Sequence, residues 1–302
     1  MKNRLLSLFV GLACLSGLAQ PAHCVPAQDP PTDAPKQAPA KIEYLSAWPK
    51  PADQHQLEVD IERLCKARTD EMEKQAQDAL LACGTSAVPF LLDRYARERA
   101  PEAHERLRAL LLDLIQADQT RLLAPRFASK SLDERVMVMW RAGVFPDRGI
   151  RAEAEAAWAR VEKQGEKADP DERYAAALCA CSAGCIKGLD TLIAQAMKRW
   201  DKKGQEMRIA LEGVRGPDAT AALSKSLDDQ DRKIRVAALN LLGGCGDKSV
   251  IGKIKPMLDE SDNSIRVAAI NALRGIVDGE LPLKDLSAFT AIEEAKKWKD
   301  RL

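Results

Sequence analysis

Two near-copies, Ile234-Arg-Val-Ala-Ala-Leu-Asn-Leu-Leu242 and Ile265-Arg-Val-Ala-Ala-Ile-Asn-Ala-Leu273, lie 31 residues apart. Self-similarity at a fixed period of this size marks an array of stacked supersecondary units. An Asp stands four residues before the Arg of each copy (Asp231 and Arg235, Asp262 and Arg266). Between the copies a turn-like Gly243-Gly-Cys-Gly-Asp247 is followed by a second apolar-periodic run. One helical hairpin per repeat accounts for that order.

Working outward, the same signals return with looser spacing. Thr69, followed by Asp70 and Glu71, reads as a cap and an acidic first turn. Val88-Pro-Phe-Leu-Leu92 puts a proline in the first turn of a partner helix, where its missing N–H costs nothing. Asp169 and Arg173 lie 62 residues before Asp231 and Arg235, twice the period. The Asp-x-x-x-Arg spacing predicts a structural ladder of Asp169, Arg173, Asp231, Arg235, Asp262 and Arg266, in which the acid caps a helix and the Arg reaches the neighbouring layer. Glu102 and Arg106 form a variant.

From Leu57 to Gly275 this pattern resembles the short HEAT-like repeats, about thirty residues long, of the type described in phycobilisome lyases. The resemblance implies an all-α, right-handed α-solenoid of about seven helical hairpins, whose second helices line a concave groove. Such arrays usually serve as protein-binding scaffolds, and no cofactor is assigned. Catalytic relatives keep an alternative open: a lyase-like enzyme or a binder of a tetrapyrrole-type ligand. A HEAT-like di-iron hydroxylase would need several His-Glu pairs, and of the three histidines only His104 precedes a glutamate, Glu105.

The ends differ from the repeats. Residues 1–22 read as a signal peptide, with Lys2 and Arg4 before the apolar Leu5 to Ala19. Export to the periplasm or the exterior is the expectation. A lipid anchor on Cys14 or Cys24 is disfavoured by Gly11, which stands where a large aliphatic residue is needed, and by His23 directly before Cys24. Residues 23–54 are rich in proline and predict an extended, disordered linker, with Tyr44, Leu45 and Trp48 able to dock on the first repeat. The solenoid is expected over residues 55–282. Residues 283–302 predict a capping helix with Phe289, Ile292, Ala295 and Trp298 on its apolar face.

The chain of 302 residues has 30% charged residues but a net charge of only +1, so no global field favours nucleic acid or an anionic membrane. Glycine-rich phosphate loops, nucleophile elbows and zinc-binding His-Glu-x-x-His are absent from the sequence. No catalytic or metal-binding residue is therefore assigned. Cys83, Cys185 and Cys245 sit at the ends of first helices, where the repeat wants a modest apolar residue. Cys179, Cys181 and Cys185 have no His or acidic partner nearby for a closed zinc site.

Charge is partitioned between the helices. The expected second helices sum to +9 and the first helices to −3. A mildly basic groove follows if second helices line it, with Phe90, Arg94, Arg97, Lys198 and Lys253 as its partner-binding residues. Such a strip is too sparse for nucleic acid and suits a protein or peptide, acidic in character.

Overall fold

The structure is a computed structural model and describes residues 44–302. The expected signal peptide, both lipidation candidates and residues 23–43 of the linker lie outside the described residues, as do the side chains of Tyr44 and Leu45. The described residues begin within the expected linker. Residues Tyr44–Ala47 form a 3-10 turn, and Trp48 beyond it is buried in the core.

Among the described residues there are fourteen α-helices and no strand. Helix α1 (Gln54–Cys65) precedes six hairpins. Their first helices are α2 (Asp70–Ala82), α4 (Pro101–Leu114), α6 (Leu132–Gly143), α8 (Pro170–Ser182), the latter half of α9 (Leu189–Leu211) and α11 (Arg232–Cys245). Their second helices are α3 (Val88–Tyr95), α5 (Thr120–Leu123), α7 (Arg151–Gln164), the early half of α9, α10 (Pro217–Ser224) and α12 (Ile251–Ile254). A further first helix, α13 (Asn263–Leu273), is covered by α14 (Ala288–Arg301). The chain is an all-α solenoid, as its periodicity implies. No helix among the described residues is long and apolar enough to cross a membrane.

Helix starts follow local chemistry. Side-chain oxygens of Asp53, Thr69, Ser131, Asp169, Asp231, Asp262 and Ser287 each accept a backbone N–H in the first turn of α1, α2, α6, α8, α11, α13 and α14. Each such cap contributes about 1 kcal/mol. Prolines occupy the first turns of α3, α4, α8 and α10. Helix α9 breaks this grammar. No cap or breaker separates a second helix from the next first helix there, and the chain bends at one non-helical residue, Arg199 (φ −142°, ψ 25°).

First helices pack in succession, α6 on α8, α8 on α9, α9 on α11 and α11 on α13. Glycines permit the close approach. A Cβ on Gly213 would overlap the Ser182 carbonyl oxygen, and one on Gly275, two 31-residue periods later, would overlap that of Gly243. Helix α8 is enclosed on every side by α6, α7 and α9, and all residues from Tyr174 to Ala183 are buried. The cap also differs from its expected orientation. Ala291, Ala295 and Trp298 face inward, at positions i, i+4 and i+7, whereas Phe289 and Ile292 are 70% and 55% exposed.

Candidate binding cleft

The expected strip on the second helices is only partly assembled. Arg94 donates to Glu98 at 2.8 Å and to Glu62 at 2.9 Å. The Nε of Arg97 donates to the Asp93 carbonyl, and Lys253 pairs with Asp228 at 3.1 Å. Phe90 is half-buried against the core. Lys198 is exposed, and no ion pair engages it among the described residues. Neighbouring carboxylates therefore engage two of the four cations of the strip, Arg94 and Lys253.

The six ladder residues divide into two roles. Asp169, Asp231 and Asp262 cap α8, α11 and α13. Arg235 reaches the next layer at Glu260, but at 3.8 Å and with both side chains over a quarter exposed. Arg173 and Arg266 instead fold back onto the carbonyls of Gly165 and Glu260, in the connections ahead of their own helices. The reason is reach. A helical side chain leans toward the N-terminus of its helix, so an Arg four residues past the cap meets the incoming loop before the neighbouring layer. Tighter bonds between layers come from other pairings, some of which use members of the pattern: Arg106 of the variant reaches Glu73 of α2 at 2.6 Å. Arg232 binds Asp262 at 2.8 Å, and Glu172 of α8 receives Arg135 of α6 at 2.6 Å and Arg160 of α7 at 3.0 Å.

Histidine and cysteine chemistry is sparse. His104 stacks on Tyr95 with ring centroids 4.0 Å apart, while Glu105 pairs with Arg108. Among the described residues no three His, Cys, Asp or Glu side chains stand together as a metal site. The six described cysteines are free thiols. Cys179, Cys181, Cys185 and Cys245 are buried, and burial pushes the Cys245 thiol up to about 12.

An open cleft lies elsewhere, on the first helices. It has a volume of about 970 Å³ and is walled by the latter half of α9, α11, α13 and residues 279–286. Trp200, Ile209, Val236 and Val267 supply its apolar surface. Arg208 and Arg215 also line it. Each donates to a carbonyl, Arg208 to Glu280 at 3.3 Å and Arg215 to Gly244 at 2.8 Å, and neither has a carboxylate within ion-pairing distance among the described residues. Burial and the nearby Arg215 both lower the Arg208 pKa, with Glu212 opposing them.

Beyond the cleft, Glu206 of α9 ties three layers together. It accepts the Trp140 indole N–H of α6 at 2.8 Å and the Tyr174 hydroxyl of α8 at 2.5 Å. Lys203 lies over the Tyr174 ring at 3.7 Å.

The cleft residues were not singled out by sequence reasoning. One signal was present: a polar residue, Asn240 and Asn271, at the same register of both near-copies within otherwise apolar runs.

A family model for HEAT repeats matches residues 220–296, the span that contains both near-copies, α13 and most of the cap. HEAT repeats are commonly protein-interaction scaffolds. No curated protein matches the chain.

Proposed function

We propose that this protein is an exported, non-enzymatic scaffold that grips a segment of another protein in the cleft formed by its first helices. The observation that carries this reading is the composition of the cleft wall. Aliphatic and aromatic side chains stand beside two guanidinium groups that, among the described residues, have no carboxylate within ion-pairing distance, although Asp201, Glu212 and Asp285 also line the wall. An acidic, partly apolar segment would supply both complements, and charge matching of this kind favours encounter and register. The binding face then lies on the first helices and not on the strip of Phe90, Arg94, Arg97, Lys198 and Lys253, where Arg94 and Lys253 already have carboxylate partners. Export rests on the charged and apolar segments of residues 1–22.

The volume of the cleft also favours a second reading, a lyase-like protein or tetrapyrrole-type binder, because about 970 Å³ is within the range of small-molecule sites. A photo-crosslinking residue separates the protein-binding faces. Placed at Val236 it should trap an exported polypeptide, and placed at Lys198 it should not. Trapping from Lys198 alone overturns the assignment. Saturable stabilisation by a tetrapyrrole, with no adduct from either position, favours the second reading.

A further inference from the structure

The structure contains an example of how this cleft holds extended chain. After α13 the backbone runs without helix from Gly279 to Ser287. Asn271, nearly buried on α13, grips it at one residue. Its Oδ1 accepts the Leu283 N–H at 2.8 Å, and its Nδ2 donates to the Leu283 carbonyl at 3.2 Å. One amide thereby satisfies both backbone groups of a residue that has no strand or helix partner, and the Leu283 side chain packs against the core.

The repeat places a second amide of the same kind one layer away. Asn240 of α11 precedes Asn271 by one 31-residue period, and both line the cleft. The aliphatic neighbour is repeated too: Val236 stands one turn before Asn240, as Val267 does before Asn271, and both valines line the cleft. Asn240 is half-buried, and its amide makes no hydrogen bond within the described residues. The occupied and the open amide thus share their helix register, their aliphatic neighbour and their cleft. Arg208 and Arg215 lie along the same wall.

We infer that Asn240 is a backbone clamp for an extended segment of a partner protein, holding the N–H and C=O of an aliphatic residue while Arg208 and Arg215 receive an acidic residue of the same segment. The inference rests on the cleft being the partner-binding face and adds how that face reads its ligand. Recognition through backbone groups gives affinity with little dependence on sequence, and the aliphatic wall and the arginines then supply selectivity.

The test uses the full chain and a fluorescein-labelled octapeptide, Gly-Glu-Leu-Pro-Leu-Lys-Asp-Leu, which copies residues 279–286. Fluorescence anisotropy should show saturable binding. Asn240→Ala and the isosteric Asn240→Asp should each weaken it about tenfold, the size of one to two net hydrogen bonds. The isostere guards against a folding defect. The same octapeptide N-methylated at the leucine that copies Leu283 lacks the donor for the clamp and should lose a similar factor on the unaltered protein. If both Asn240 variants bind as the parent does while Arg208→Glu with Arg215→Glu abolishes binding, the clamp is wrong and the cleft stands. If none of these changes matters, both readings fall. Absence of binding to the unaltered protein also overturns the clamp and leaves the cleft to the crosslinking test.

Discussion

Removing the Glu172 carboxylate tests how the layers of this array are held. Glu172 is 2% exposed and receives two bonds from Arg135, at 2.6 and 3.1 Å, and one from Arg160 at 3.0 Å. Taking one partner from a buried charge cluster typically costs about 3–5 kcal/mol, because the opposite charge is left behind. Here the loss is tempered on the arginine side. Arg160 is a third exposed and can turn to water, and Arg135 keeps its bonds to the Ser129 and Lys130 carbonyls. Glu172→Ala should therefore cost about 3 kcal/mol, and Glu172→Gln, which keeps the shape and an acceptor oxygen, about 1–2 kcal/mol. Urea unfolding followed by circular dichroism would register this as a lower midpoint at unchanged slope.

The pH dependence fixes the cause. Burial raises the Glu172 pKa, but hydrogen bonds from Arg135 and Arg160 more than offset it, and the group lies below its ordinary value of 4.5. A depressed acid stabilises the fold above its unfolded pKa and loses that contribution as pH falls through the folded value. The gap between the parent and Glu172→Ala should be full at neutral pH and close in acid. Arg235→Ala is the comparator. Its partner is 3.8 Å away and both side chains are over a quarter exposed, so its loss should cost less than about 1 kcal/mol. A Glu172→Ala cost below about 1 kcal/mol, or a gap that does not narrow in acid, would refute this account.

Two further outcomes are expected. Gly213→Ala should destabilise by about 2 kcal/mol or more, since its methyl would overlap the Ser182 carbonyl, whereas Gly252→Ala, which meets nothing, should be neutral or stabilising by thermal melting. Burial pushes the Tyr95 hydroxyl up to about 12, so an alkaline absorbance titration should show it ionising well above the ordinary value of 10; as a raised acid, it stabilises the fold below pH 10 and loses that contribution as pH rises through 12.

The fold was legible because repetition and capping are written locally. The two near-copies, the caps and the prolines in first turns each mark a helix without reference to any distant residue. Three features were not legible, each for a physical reason. The bend at Arg199 carries no breaker, since every residue from Lys198 to Lys203 tolerates a helix. The inward stripe of α14 depends on how the last layer meets it, and Phe289 and Ile292 fit a helical period as well as Ala291 and Trp298 do. The cleft is built from Asn271 and a backbone twelve residues further on, in a segment with no periodicity to flag it. The pairing of Arg94 and Lys253 within the basic strip was not legible either. Counting charges per helix misses carboxylates contributed by the adjoining layer, such as Glu62 against Arg94.

Arrays of stacked hairpins often behave as interchangeable modules, each contacting only its neighbours and open to gain or loss by duplication. The enclosure of α8 withdraws that freedom from the middle of this chain. Trp140 of α6 already reaches Glu206 of α9 over the top of α8, so a copied unit inserted beside α8 would force apart layers that now meet. Length can be added where first helices still keep an open side, at α11 and α13. That is where the sequence carries its two closest copies. Under tension the same asymmetry would let the C-terminal layers peel one at a time while the centre held until it yielded as a single block.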